Sequence, residues 1–361
     1  MFPLRFPYRI LQSRAKEGDC VFDPFCGRGT TNYAARLLGL ETVGFDSSPV
    51  AAAIASSKLV TANSRSVSDA LEAALEEIDR PRDVPEGEFW ALAYHPRTLR
   101  NLCRVREALL RNCDSERRIA LRAVILGALH GPNARSTASY LSNQCPRTFA
   151  PKPRYAVNFW KSRGLRPSQI DIRDLVAIRA ARYFDGEASP KTGLIRKVDS
   201  RRSASYMRLG ARQFDWVITS PPYYGMRTYI PDQWLRNWFM GGPSSTDYSN
   251  RGQLEHGSPE VFSNELRKVW ANTAVHSREG ARLVIRFGGI NDRQADPTGV
   301  VKESLKKSGW ELVTIVAAGR SPSGRRQVEH FGRGERSTPI EEFDVWASRS
   351  DRPAQAAAAP Q

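Results

Sequence analysis

The chain has 361 residues, 40% hydrophobic and 25% charged, the proportions of a water-soluble folded protein. No apolar run approaches the roughly 20 residues that a membrane-spanning helix needs, and the five cysteines (Cys20, Cys26, Cys103, Cys113, Cys145) form no C-x-x-C pair, which argues against a disulfide framework and a zinc site. Lys and Arg number 54 against 38 Asp and Glu, a formal net charge of +16 carried mostly by arginine; this fits a polyanionic partner, although an arginine-rich genome gives the same excess. The opening Met1-Phe2-Pro3-Leu4-Arg5 lacks the charged head and apolar stretch of a secretory signal, so the expected location is cytoplasmic.

Seven short apolar segments read as strands: 20–23, 42–45, 193–195, 215–218, 282–285, 313–316 and 343–346. Near-continuous apolar runs suit strands covered on both faces, and helical patterns at 30–38 and 49–59 lie between the early ones, so the expectation is an open α/β sheet. Between the second and third strands lie about 130 residues, far too many for one crossover. The sequence therefore divides into a first core part (1–59), a mostly helical insertion (60–192), a second core part (193–347) and a polar, low-complexity tail (348–361) without the composition to pack.

Within the insertion, 98–110 and 117–129 place leucines and valines at helical spacing. Arg97, Arg100, Arg104, Arg106, Arg111, Arg117, Arg118 and Arg122 fall between them, either as a solvated face or as a phosphate-contacting one. The Pro/Lys/Arg-containing stretch 140–155 is followed by Trp160; Tyr155 and Trp160 either stack on bases or anchor the loop.

The first strand runs into Asp23-Pro24-Phe25-Cys26-Gly27-Arg28-Gly29-Thr30-Thr31, a glycine loop that opens a helix. Two glycines permit a tight turn and close ligand approach beside a helix N-terminus. The third glycine of the dinucleotide fingerprint is absent, because Asn32 takes its place. Seventeen residues beyond Gly29, Asp46 ends the second strand, followed by Ser47; an acid there can accept both hydroxyls of a ribose, or cap the next helix. Asp199, after the third strand, lies where an adenine amino group would be met. The three acids together describe a nucleoside pocket along the carboxyl edge of the sheet.

The fourth strand runs into Thr219-Ser220-Pro221-Pro222-Tyr223-Tyr224-Gly225. Two consecutive prolines fix φ and leave a stiff corner with rigidly placed acceptors. Such acceptors suit a poorly nucleophilic base amine: the Ser220 oxygen and the Pro221 carbonyl each take one amine hydrogen and free the nitrogen lone pair. Tyr223 is then expected to stack on a base lifted out of its duplex.

D-P-F-x-G-x-G-T-T together with T-S-P-P-Y resembles the amino-methyltransferase family of DNA modification enzymes, in particular its cytosine-N4 members. The resemblance implies a seven-stranded Rossmann-like methyltransferase sheet and S-adenosylmethionine as methyl donor, held by Asp23 to Thr31, Asp46, Ser47 and Asp199. It further implies catalysis at Ser220, Pro221, Pro222 and Tyr223, DNA as partner, and DNA methylation of the restriction–modification kind. Phe6-Pro7 would help to close the cofactor site, and Arg28 stands where a small residue is more usual. Serine at 220 is similar to cytosine-modifying members, whereas Asp or Asn is more typical of adenine-N6 ones. Target recognition falls to 60–192 by analogy with permuted subgroups. The other readings are an adenine-N6 enzyme, an RNA methyltransferase of the guanine-N2 type, and a non-catalytic nucleic-acid binder that keeps the fold. The aromatic stretch 229–239 walls the base pocket or packs. Five Arg residues among Gly and Ser between 319 and 337 suit a loop laid on phosphates or a solvated hairpin tip. The five histidines show no metal spacing.

Overall fold

The computed structural model describes residues 2–131, 140–142, 153–186, 193–225, 233–246, 252–289, 295–320 and 341–349. Its strands are β1 (Cys20–Asp23), β2 (Glu41–Asp46), β3 (Gly193–Lys197), β4 (Phe214–Thr219), β5 (Ser277–Gly288), β6 (Trp310–Arg320) and β7 (Glu341–Arg349). The helices are α1 (Arg5–Arg14), α2 (Thr30–Leu37), α3 (Pro49–Ser57), α4 (Ser64–Glu77), α5 (Glu88–Ala93), α6 (Pro96–Arg111), α7 (Glu116–Ala128), α8 (Pro153–Ser162), α9 (Ile172–Phe184), α10 (Trp234–Phe239), α11 (Pro259–Val275) and α12 (Pro297–Leu305). Their N-termini follow local chemistry. Asn63 and Ser66 form a reciprocal capping box on α4, while Ser258 and Asp296 cap α11 and α12 ahead of a proline.

All seven expected strands join one sheet in the order β3-β2-β1-β4-β5-β7-β6, with β7 antiparallel to both neighbours and the other pairs parallel. This is the Rossmann-like α/β sheet expected from the apolar runs. Parallel pairing brings the carboxyl ends of β1, β2, β3 and β4 to one rim, and the order reverses between β1 and β4, the place where such sheets open a ligand crevice. β1 is buried along its whole length, with Phe22 stacked on Phe214 at 4.3 Å between ring centroids and edge-on to Phe45.

The chain forms two compact units. The sheet unit comprises 1–55, 191–228 and 252–361; the helical unit comprises 56–190 and 229–251. The sequence expectation kept 229–251 with the core, but Trp234, Trp238 and Phe239 are buried in the helical unit. There Trp234 packs on Phe89 and Trp90, and Trp238 lies 4.6 Å from Trp90. Those aromatics are packing, not the wall of a base pocket. Trp160 is likewise 1% exposed and set against Phe89, so it stacks on no base. Tyr155 remains exposed. Of the eight arginines of α6 and α7, Arg104 donates to the Ile78 and Leu75 carbonyls. Arg106 binds the Trp238 carbonyl and Asp83, Arg111 pairs with Glu107, and Arg118 pairs with Glu77. Arg104, Arg106 and Arg118 join elements to one another, Arg111 is paired within α6, and the four present no continuous phosphate stripe. Ser348 and Arg349 belong to β7, so the polar tail begins later than expected; residues 350–361, like the Arg-rich 321–337, lie outside the described residues. No helix among the described residues is long and apolar enough to cross a membrane.

The missing third glycine has a structural explanation. Asn32 is fully buried on α2, donates to Thr42 Oγ1 at 2.9 Å, and faces Gly44 of β2, where an added Cβ would meet the Asn32 amide at 2.8 Å and Ile195 Cδ1 at 2.7 Å. Close helix–strand approach is thus granted by a glycine on the strand. Gly44→Ala is expected to cost about 1–3 kcal/mol in denaturant unfolding, as overpacking does. Asn32→Ala introduced beside it should recover part of that cost; strict additivity of the two effects would contradict the contact.

Candidate active site

Every site residue expected from the sequence falls in the sheet unit, at the carboxyl rim of β1 to β4. The Asp23 carboxylate is 1% exposed and accepts at Oδ1 from the Thr219 hydroxyl at 2.6 Å and from the Phe25 N–H at 3.0 Å. Thr31, in the first turn of α2, donates its hydroxyl to the Ile218 carbonyl at 3.1 Å. Two side-chain bonds therefore join the glycine loop to the last residues of β4, immediately before Ser220. The loop and the proline corner are one construction.

The loop closes on itself and on β2. Cys26 N–H donates to the Phe45 carbonyl at 2.9 Å, and Gly29 N–H to the Cys26 carbonyl at 2.7 Å. Gly27 and Gly29 have φ of +52° and +71°, and a Cβ on Gly29 would lie 2.9 Å from Ala55. Only glycine meets both demands at 29. Gly29 is also the N-cap of α2 and supplies no side-chain acceptor, which leaves first-turn N–H groups of the helix without a capping side chain. Pro24, Cys26, Thr30 and Thr31 are buried, Phe25 is half-buried, and Arg28 is exposed, so the unusual arginine points its charge to solvent.

Asp46 accepts from Gly27 N–H at 2.9 Å with Oδ2 and from Ser48 N–H at 2.8 Å with Oδ1. It thus fixes the glycine loop and starts the turn into α3, with Ser47 exposed beside it. Val198 N–H reaches the Asp46 carbonyl at 3.0 Å, which sets the end of β3 next to it. Asp199 itself is held by the Arg201 guanidinium, through Nε at 2.9 Å and Nη2 at 2.7 Å, and Arg201 also pairs with Glu265. Burial pushes the Asp199 carboxyl up, but Arg201 more than offsets it and the net displacement is downward. The expected adenine acceptor is therefore already engaged in an ion-pair network that the sequence did not signal.

Beyond Thr219, Pro221 is buried and Ser220, Pro222 and Tyr223 are half-buried. Tyr223 is anchored more firmly than a freely stacking ring. Its hydroxyl donates to Glu342 Oε1 at 2.9 Å, its ring packs edge-on to Phe287 at 5.1 Å, and it lies against Gly288, where a Cβ would come within 3.2 Å. Burial, then the Glu342 carboxylate, pushes the phenol up, against the opposing effects of the Ser220 hydroxyl and Arg286. Tyr224 is buried against His256 and Phe262, and His256 Nδ1 accepts from Gly225 N–H at 2.9 Å. Glu342 and His256 brace the corner from 119 and 31 residues away, and no local pattern marks either. Phe6 lies under the Arg286 guanidinium at 3.7 Å, and Arg286 forks onto Asp344; this places the Phe6-Pro7 segment beside β5 and β7. Among the described residues no cluster of His, Cys, Asp and Glu could hold a metal ion.

Burial pushes the Asp23 carboxyl up to about 7 and the Asp46 carboxyl to about 6, in each case against their hydrogen bonds. A raised carboxyl favours folding in its protonated form, so the stabilising contribution is complete below the unfolded value of 3.8 and is lost as pH climbs through 7. For Asp23 the difference is worth roughly 4 kcal/mol. Asp23→Asn keeps the Oδ1 acceptor and removes the titration. The Tm of the parent chain should fall from pH 5 to 8 more steeply than that of the variant; parallel curves would show that Asp23 does not titrate there.

Residues 1–57 match a family model described as DNA methylase. No curated protein matches the chain. Among solved structures, an S-adenosylmethionine-dependent methyltransferase from Methanosarcina mazei is 10% identical over 97% of this chain and 98% of its own, with a TM-score of 0.37. An rRNA methylase from Streptococcus thermophilus is 8% identical over 97% of each chain, TM-score 0.33. An rRNA methyltransferase from Streptomyces viridochromogenes is 13% identical over 96% of this chain and 85% of its own, TM-score 0.33. The fold class of this chain rests on its own strand order.

Proposed function

We propose that the chain is a methyltransferase that moves a methyl group from S-adenosylmethionine to the exocyclic amine of a base in DNA, with cytosine N4 as the target. The observation that carries this reading is the 2.6 Å bond between Thr219 and Asp23, which seats the Ser-Pro-Pro-Tyr corner on the glycine loop. The match of residues 1–57 to the DNA methylase model supports the same reading and favours DNA over RNA.

The residues present fit the methyl donor. The backbone at Gly27 has no Cβ to obstruct a ligand, α2 offers uncapped N–H groups, and both Asp46 oxygens retain lone pairs beyond the one bond each accepts. Gly27, Gly29 and Asp46 would hold the donor, with the buried Asp23 fixing the loop behind them and Ser47 exposed beside Asp46. When bound, the donor supplies an electrophilic methyl on a sulfonium centre. The chain supplies position and placed dipoles. Ser220 Oγ and the Pro221 carbonyl accept the amine hydrogens and turn the nitrogen lone pair out of conjugation. Tyr223, fixed by Glu342 and Phe287, holds the corner rigid and lines the base's place, a narrower role than free stacking. Serine at 220, in place of Asp or Asn, favours cytosine over adenine.

Mass spectrometry of nucleosides after incubation of DNA and RNA with labelled donor should show N4-methylcytosine from DNA. Label on adenine, or in RNA alone, would replace the target, and label in neither polymer would end the reading. Ser220→Ala is expected to lower kcat by about 10²-fold or more while calorimetric affinity for the donor stays within about twofold. Asp46→Ala should weaken donor binding; unchanged affinity would move the ribose contact elsewhere.

A further inference from the structure

From Arg117 to Gln169 and Ile170 the sequence runs for 54 residues without one Asp or Glu, and within that run stand ten Lys and Arg: 117, 118, 122, 135, 147, 152, 154, 161, 163 and 166. At the chain's overall frequency of 38 acids in 361 residues, such a run would hold five or six, so this stretch supplies no counter-charges of its own. The structure separates its basic residues into two kinds. Those of α7 that are engaged internally, such as Arg118 with Glu77, serve packing. Those around α8 face outward.

The orientation of α8 is set by its apolar side. Ala156, Val157 and Trp160 are buried, Trp160 against Phe89 of α5. The spacing of these three fixes the opposite face to solvent. On it stand Arg154, Tyr155, which is 48% exposed, and Asn158; Lys161 lies in the last turn, and Arg163 and Arg166 follow the end of the helix, all exposed. Lys161 pairs with Glu88 and Arg163 lies over the Phe159 ring at 4.0 Å, whereas Arg154 and Arg166 form no ion pair among the described residues. Arginine, tyrosine and asparagine are among the side chains that donate to phosphate oxygens, and they stand here on one helix face.

We infer that the exposed face of α8, with Arg154, Tyr155 and Asn158 at one end and Arg166 beyond the other, binds the phosphate backbone of duplex DNA. The choice of DNA rests on the proposed function. This surface grips the duplex without reading its sequence, while the arginines of α6 and α7 that pair internally contribute little to the grip.

The test is the salt dependence of binding to a short random-sequence duplex, followed by fluorescence anisotropy on the full chain. R154A/R166A should reduce the steepness of log K against log salt by about 1.8, near 0.9 for each phosphate no longer neutralised, with unchanged thermal unfolding. R111A/R118A, which removes two charges already paired with Glu107 and Glu77, should leave the slope within about 0.5 of the parent. An unchanged slope in R154A/R166A or an equal reduction in both variants would overturn the inference. Methyl transfer measured on the same preparations keeps the two readings apart. Transfer to DNA with an unchanged slope removes this surface and leaves the function standing. A flattened slope without transfer to either polymer supports the surface as a DNA grip and removes the catalytic reading.

Discussion

The site depends on one buried carboxylate. Asp23 ends the strand at the centre of the sheet, where the order reverses, and its oxygen must serve two loops at once: it accepts the N–H of Phe25 in its own loop and the hydroxyl of Thr219 from the next strand over. A carboxylate removed from water is costly to keep charged and costly to leave unbonded. The fold meets that cost with donors from both sides, and those donors lock the glycine loop and the proline corner into a fixed relation. The upward displacement of its pKa is the residual signature of that burial.

Around this link the other contacts have a clear order. Asp46 ties the glycine loop to β2 through Gly27, and Thr31 ties α2 to β4 through the Ile218 carbonyl. Gly44 lets α2 come close through Asn32, and Gly288 lets Tyr223 lie against β5. Glu342 then takes the tyrosine hydroxyl. Each of these contacts joins a different pair of elements, so the corner is braced from β5, β7 and α11 as well as from β1. A catalytic mechanism that works by placing acceptors at a poor nucleophile needs this kind of redundancy, because a shift of about 1 Å is enough to cost two orders of magnitude in rate.

Much of this was legible in the sequence because it is local. The seven strands announce themselves as apolar runs, and each motif is a short consecutive stretch whose chemistry follows from its glycines or prolines. What escaped is what depends on distant partners. Trp160 and Trp234 have the composition of a base-stacking surface, yet Phe89 and Trp90 bury them, and nothing near either residue says so. Arg104 and Arg118 have the spacing of a phosphate stripe, but carbonyls and a carboxylate from α4 and the turn after it take their guanidinium groups. Asp199 follows β3, but Arg201 engages it in a network whose other acid, Glu265, is 64 residues further on. Asn32 looked like a departure from the nucleotide-binding pattern until Gly44, on another element, supplied the missing space.

The central claim is that the proline corner and the nucleoside cradle face each other across a single methyl hop. The structure of the chain with S-adenosylhomocysteine tests it most directly, through the distance from Ser220 Oγ to the ligand sulfur. With one hydrogen bond to the amine and one reacting contact between them, that distance should be about 6–8 Å. A ligand seated on the Gly27–Gly29 turn with its sulfur some 15 Å or more from Ser220, or seated away from that turn altogether, would contradict the account.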